Sequence, residues 1–174
     1  REGRWEEAAD RFREALSADP AHHPAAIYLA QTYRRRNRNE EAADLLRGVR
    51  KQNPGHAEAA NELAIVLERL GEEEEAIELY RAAADLNPKY AAPLRNLAAL
   101  LGERGEFERA RAAGREALER RPNQSRGYVI LGNIYIAWGR LEEAGKVLRE
   151  GNRRHPGDWR IKSRLLALDS VAGE

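Results

Sequence analysis

Residues 121–156 read RPNQSRGYVILGNIYIAWGRLEEAGKVLREGNRRHP, a stretch that holds one whole period of the chain. Its two prolines, Pro122 and Pro156, lie 34 residues apart. The same interval runs through five of the seven prolines: Pro20, Pro54, Pro88, Pro122 and Pro156. A fixed period of this length is typical of solenoids, in which each repeat buries its apolar face against its neighbours. The sequence therefore divides into 34-residue repeats.

Other residue types recur at the same interval and support this division. Leucine occupies one position in every repeat: Leu29, Leu63, Leu97, Leu131 and Leu165. Alanine occupies another: Ala8, Ala42, Ala76, Ala110 and Ala144. A third position holds Gly3, Asn37, Gly71, Gly105 and Gly139. Glycine and asparagine tolerate a left-handed backbone, so this third position predicts a turn at the end of a helix.

These positions resemble the tetratricopeptide repeat, whose pattern is W-x₂-L-G-x₂-Y, then A-x₃-F, then P, on two antiparallel helices. The clearest copy consists of these residues: Tyr128, Leu131, Gly132, Tyr135, Gly139, Ala144, Leu148 and Pro156. The tryptophan position is degenerate and holds Ala26, Ala60, Leu94 and Tyr128. The resemblance covers essentially the whole chain. It implies an all-α fold, a right-handed α-solenoid of antiparallel helix pairs.

The repeat divides residues 1–174 into one array without a single central core. Residues 1–22 correspond to the second helix of a truncated repeat. Four whole repeats follow at 23–56, 57–90, 91–124 and 125–158, and residues 159–174 form a C-terminal capping helix. Because the chain opens in mid-repeat, we expect it to be an excerpt from a longer array. The alternative to an excerpt is a natural protein that starts here, and the alternative to a capping helix is a parent chain that continues beyond Glu174.

Composition argues against several classes of protein. The chain has 30 basic and 29 acidic residues, whereas a nucleic-acid-binding protein usually carries a basic excess. It has no cysteine, so neither disulfides nor thiolate chemistry are available. No apolar run approaches the length of a membrane span, which argues against insertion into a bilayer. None of this decides between the cytoplasm and the periplasm.

The sequence offers almost nothing for catalysis. It contains no glycine-rich phosphate loop, no nucleophile elbow and no metal-ligand motif, so we expect neither an enzyme nor a cofactor or metal site. The histidines lie in the corners between repeats, where solvated side chains are the simplest interpretation: His22, His23, His56 and His155.

The remaining candidate is the groove, because in this family the first helices line a concave surface. We expect peptide-binding residues at helical spacing on that surface: Ile27, Gln31, Arg34, Asn61, Ile65, Arg95, Val129, Asn133 and Ile136. Asn96 and Arg126 lie beside them and are the only residues that match the carboxylate clamp of chaperone-binding members. The alternative is that the apolar residues of this stripe pack between adjacent first helices.

The resemblance implies a protein-interaction module that binds a peptide or partner segment in its concave groove. A regulatory or substrate-docking array of a larger enzyme is the alternative. RNA binding is disfavoured by the charge balance. Since Trp5 and Phe12 would lack the first helix of their own repeat, we also expect self-association through the N-terminal helix edge.

Overall fold

Ten helices account for nearly all of the described chain. The computed structural model describes the backbone of residues 2–172 and the side chains of residues 5–170. Its helices are α1 (Glu2–Ala18), α2 (His23–Arg35), α3 (Asn39–Gln52), α4 (Ala57–Leu70), α5 (Glu73–Leu86), α6 (Ala92–Glu103), α7 (Phe107–Arg120), α8 (Ser125–Ala137), α9 (Leu141–Arg154) and α10 (Trp159–Ala172). They pack in sequential antiparallel pairs, so the expected all-α fold of helix pairs is confirmed.

The helices form two compact units, which divide between Asn87 and Pro88. In the first unit α2 pairs with α3 and α4 with α5, while α1 packs on α2. In the second unit α6 pairs with α7 and α8 with α9, and α10 packs on α9. Within each unit successive first helices also touch directly, α2 with α4 in one, α6 with α8 and α8 with α10 in the other. The first helices of each unit therefore form a continuous layer.

The turn inside each helix pair has a left-handed residue where the sequence predicts one. Gly71, Gly105 and Gly139 have φ angles of 82°, 75° and 75°. Asn37 takes the same conformation at φ 59° and is the sole non-glycine residue with positive φ among those described. Asparagine tolerates this region better than other residues with a side chain, so its presence in a glycine position has a physical reason.

Two of the corner histidines, His22 and His56, cap the N-termini of helices. The Nδ1 atoms of His22 and His56 accept hydrogen bonds from the backbone N–H groups of Ala25 and Ala59, at 3.1 and 3.3 Å. Each imidazole thus satisfies one of the unpaired donors in the first turn of α2 or α4. His23 meets His56 edge-on, with ring centroids 5.8 Å apart. A capping role explains why histidine recurs at the interval of the repeat.

Small residues allow the two helices of a pair to approach closely. The alanine position is fully buried in all four whole repeats, at Ala42, Ala76, Ala110 and Ala144. At Gly114 the space that a side chain would take is filled by Leu131 of α8, because a Cβ atom there would lie 2.8 Å from Leu131 Cδ2. Gly132 is covered in the same way by Leu148, whose Cδ2 would be 2.6 Å away. The core is interdigitated, and these glycines make room for leucines.

At two facing positions of the repeat, a larger side chain on one helix is accompanied by a smaller one on the other. The first helix carries Ala26 in the first whole repeat and Tyr128 in the fourth, while the second helix carries Val49 and Gly151 at the corresponding places. A Cβ atom on Gly151 would lie 2.7 Å from Tyr128 Cβ. Where Ala26 faces Val49, the structure instead leaves a cavity of about 350 Å³ beside them. Tyr128 therefore requires a glycine opposite it.

The N-terminal helix is less bare than expected. Phe12 stacks on Tyr28 of α2 with ring centroids 5.6 Å apart, and the Arg35 guanidinium lies 4.9 Å from the centre of the Trp5 ring. Trp5 nevertheless remains 39% exposed. These contacts reduce the apolar surface that would drive self-association, which stays a prediction.

Candidate functional site

In the first unit, the predicted groove stripe is partly interior. Ile27 and Asn61 are buried, with Asn61 only 2% exposed, so neither is placed to meet a ligand. Gln31, Arg34 and Ile65 are half-buried. The solvent-facing side of α2 instead carries Pro24, Tyr28 and Arg35. The burial of Ile27 agrees with the alternative, left open by the sequence, that the apolar residues of the stripe pack between adjacent first helices.

A partly buried ion pair joins α2 to α4 in this unit. Arg34 Nη2 lies 3.4 Å from Glu62 Oε2, with both side chains largely shielded from water. Burial raises the pKa of Glu62, and the nearby Arg34 charge offsets this only in part. Below the pair, the Tyr80 hydroxyl donates to Glu68 Oε2 at 2.7 Å. The Arg34–Glu62 pair thus links the two first helices, while the Tyr80–Glu68 hydrogen bond links α5 to α4.

The raised pKa of Glu62 gives a testable pH dependence. A folded-state pKa above the unfolded value contributes stability that is present at low pH and lost as pH rises through the folded pKa. The ordinary value is near 4.5, so this loss falls on the neutral side of it. We expect the stability of Glu62→Gln, measured relative to the unsubstituted protein by urea unfolding, to improve between about pH 4 and about pH 7. The attraction of the Arg34 charge for the ionised carboxylate opposes this loss but is already contained in the net upward direction of the pKa shift. A pH-independent difference would contradict this assignment.

In the second unit, the predicted residues are divided between core and surface. Val129 is buried, and Ile136 packs against the core cluster formed by Tyr128, Val129, Leu148 and Ile161. Arg95 and Asn96 are half-buried, whereas Arg126 and Asn133 are exposed. Val129 and Ile136 therefore help to pack α8 against its neighbours, and a binding role for them stays a prediction. A binding role for the exposed residues stays a prediction.

A cavity of about 190 Å³ opens between α6 and α8. Seven residues line it: Ala99, Gly102, Glu103, Ile130, Asn133, Ile134 and Ala137. Of these, only Asn133 belongs to the predicted set. Gly102 is tightly placed, since a Cβ atom there would lie 3.3 Å from Ile134 Cγ1. The sequence signal for this cavity was a glycine inside a helix at a position that needs no left-handed turn.

The arginines on this layer differ in their partners. Arg160 of α10 pairs with Asp158, and the hydrogen bonds that Arg160 and then Ser125 make to Asp158 lower the pKa of its carboxyl. Arg160 also donates to Ser125 Oγ at 3.0 Å. Arg164 donates to the side-chain oxygen of Asn133. Arg95 Nη1, by contrast, donates to the neutral Gln124 Oε1 at 2.8 Å. Among the described residues, neither Arg95 nor Arg126 has a carboxylate partner.

Metal binding and membrane insertion gain no support from the described residues. That part of the chain contains no group of three or more His, Cys, Asp or Glu side chains arranged to hold a metal ion. It also contains no helix that combines the length and the apolar character needed to cross a membrane.

Comparison with protein-family models identifies the repeat. A tetratricopeptide repeat model matches residues 1–50 and, again, residues 29–91. A second tetratricopeptide repeat model matches residues 103–168. A comparison with curated protein sequences finds no match.

Solved structures share the fold over most of the chain. MamA is 24% identical with a TM-score of 0.76, covering 89% of this chain and 91% of its own. TTC0263, a thermophilic tetratricopeptide protein of Thermus thermophilus, is 22% identical with a TM-score of 0.77, covering 95% and 91%. YrrB, a tetratricopeptide protein with an unusual peptide-binding site, is 18% identical with a TM-score of 0.70, covering 92% and 83%. At these identities the likeness establishes the fold alone.

Proposed function

Because the chain belongs to the tetratricopeptide repeat family, whose members generally serve as protein-interaction modules, we propose that it binds an extended segment of a partner protein. The binding surface in this proposal is the exposed side of α6, α8 and α10, here named the first-helix face of the second unit. The proposal assigns no reaction of its own to the chain, since the family is typically non-catalytic.

The observation that carries the proposal is the cavity between α6 and α8. Its lining is mainly aliphatic, and Asn133 stands exposed at its edge. Peptides bind such surfaces by inserting side chains into apolar recesses, while polar groups at the rim fix the backbone. With about 190 Å³, the cavity is smaller than the roughly 300–1,000 Å³ of small-molecule sites, so a single side chain fits it better than a metabolite. YrrB, which shares the fold, supports the proposal by its peptide-binding site.

The test is a selection of short random peptides on the whole chain, followed by two matched substitutions. Ala137→Gln places a neutral, bulkier side chain at the mouth of the cavity, and Ala112→Gln makes the same change on the exposed side of α7. We expect the selected peptides to lose at least about tenfold in affinity with Ala137→Gln, roughly 1.4 kcal/mol, and to be unaffected by Ala112→Gln. Circular dichroism and melting verify that both variants fold.

Two results would overturn the proposal. If the selection enriches no peptide, the chain lacks the proposed activity. If Ala112→Gln abolishes binding while Ala137→Gln does not, the site lies on the second helices instead.

A further inference from the structure

The cavity between α6 and α8 has a cationic end. Arg95 lies four residues before Ala99 on α6, and Arg126 lies four residues before Ile130 on α8. Four residues advance a helix by about 6 Å, so both arginines lie one turn from the cavity on the same side of it. Glu103 lies at the opposite end, two turns from Arg95. Charge on this surface is therefore ordered along the helices, positive at one end and negative at the other.

The two arginines are an unusual pair in this chain. Burial lowers the pKa of Arg95, and the like charge of Arg126 lowers it further. Most arginines on the surrounding helices have acidic partners, such as Arg120 with Glu116 and Arg140 with Glu143. Holding two like charges together without a counter-charge is unfavourable, and an arriving carboxylate would relieve this repulsion. A guanidinium also offers a carboxylate paired hydrogen bonds.

The cavity supplies the second element of recognition. Gly102 sits inside α6 without a positive φ, so its backbone does not require glycine. A glycine inside a helix is destabilising relative to alanine. Gly102 lines the cavity together with Ala99, Ile130 and Ala137. An aliphatic side chain of a ligand would bury apolar surface there.

The distance between the arginine pair and the cavity determines how far apart the two contacting side chains of a ligand must be. In an extended peptide each residue advances about 3.3 Å, so the roughly 6 Å between the arginines and the cavity corresponds to about two residues. Side chains two residues apart point to the same face of an extended strand. Arg126 is exposed, so the peptide can continue past the cationic end.

We propose that Arg95 and Arg126 bind the side-chain carboxylate of an internal aspartate or glutamate of a partner protein, while the cavity takes an aliphatic side chain two residues away. This inference rests on the proposed function and names the class of segment that the first-helix face of the second unit recognises: an extended acidic-x-aliphatic sequence.

The test uses synthetic peptides with acetylated and amidated ends that contain Asp, any residue, then Leu, measured by fluorescence anisotropy against the whole chain. We expect replacement of Asp by Asn, or of Leu by Ala, to weaken binding by about tenfold or more. We expect the double variant Arg95→Gln, Arg126→Gln to weaken binding of the Asp peptide by a similar factor and to remove its preference over the Asn peptide. Arg149→Gln, on the exposed side of α9, is the matched control and is expected to change nothing. Added salt should weaken binding of the Asp peptide more than that of the Asn peptide.

Equal affinities for the Asp and Asn peptides, or unchanged binding by the double variant, would overturn the inference. So would preferential binding of a peptide that carries only a free terminal carboxylate at the same spacing from Leu. If these peptides fail while library-selected peptides still bind and are lost with Ala137→Gln, the acidic-x-aliphatic inference is wrong and the proposed function stands. If no peptide of either kind binds, both are wrong.

Discussion

Replacing Gly151 with valine is expected to destabilise the protein by about 1–3 kcal/mol, although valine occupies the corresponding position of the first whole repeat as Val49. The reason is Tyr128, which is buried against Gly151 and whose Cβ and Cγ lie 2.7 and 2.8 Å from where a new Cβ would stand. These atoms are near the backbone of α8, so they cannot move aside as the end of a flexible side chain could. Urea unfolding followed by circular dichroism measures the effect.

A double-mutant cycle isolates the contact. Tyr128→Ala alone should cost about 3–5 kcal/mol because it empties the core beside Gly151. Combined with Gly151→Val, the pair recreates the residues of the first whole repeat, and the total should fall short of the sum of the two single effects by about 0.5–3 kcal/mol. Gly48→Ala is the control for glycine itself. No atom lies within 4 Å of a Cβ there, so it should stabilise α3 by about 0.5–1 kcal/mol. Strict additivity would show that Tyr128 and Gly151 do not constrain each other.

Replacing Ile161 with alanine is expected to cost about 2–5 kcal/mol and to loosen α10. Ile161 is fully buried and belongs to the core cluster with Tyr128, Val129 and Leu148, whereas Leu165 and Leu168 of α10 are only partly buried against it. The substitution should therefore speed up hydrogen exchange at the backbone amides of α10. This increase over the unsubstituted protein should be larger than any increase at the amides of α6 and α7.

Leu166 provides the matched control on the same helix. It is 70% exposed, so Leu166→Ala should change stability by no more than about 0.5 kcal/mol. If the two substitutions had equal effects, Ile161 would not be the residue that fastens α10 to the second unit.

The sequence predicts much of this fold because each local feature recurs in several repeats. A single glycine could be present for many structural reasons. Because Gly71, Gly105 and Gly139 recur at a fixed interval, they are expected to share one reason, and the structure gives all three a positive φ. Asn37 fits the same position for the same reason. The alanine position works likewise: its recurrence predicts close helix packing, and Ala76 and Ala110 are indeed fully buried.

The surface was harder to predict, because successive residues of a helix differ by about 100° in direction. A shift of one position separates buried Ile27 from exposed Tyr28, and the periodic pattern does not fix the rotation of the helix that closely. The cavity beside Gly102 depends on where the side chain of Ile134 lies. Whether Arg95 and Arg126 have acidic partners depends on the positions of every nearby carboxylate, and none of those within residues 5–170 pairs with either arginine. Such facts arise from contacts between repeats, which no single repeat encodes.

The opposing sizes of Tyr128 and Gly151 bear on how such a gene can lengthen or shorten. Both residues lie in one 34-residue segment, so a duplication or deletion of whole segments carries the tyrosine and its glycine together. A crossover between the two helices of a pair would instead join a tyrosine-bearing first helix to a second helix with valine or alanine at that place. The turn at Gly139 is thus a poor breakpoint for recombination, while the proline corners at Pro122 and Pro156 are tolerant ones.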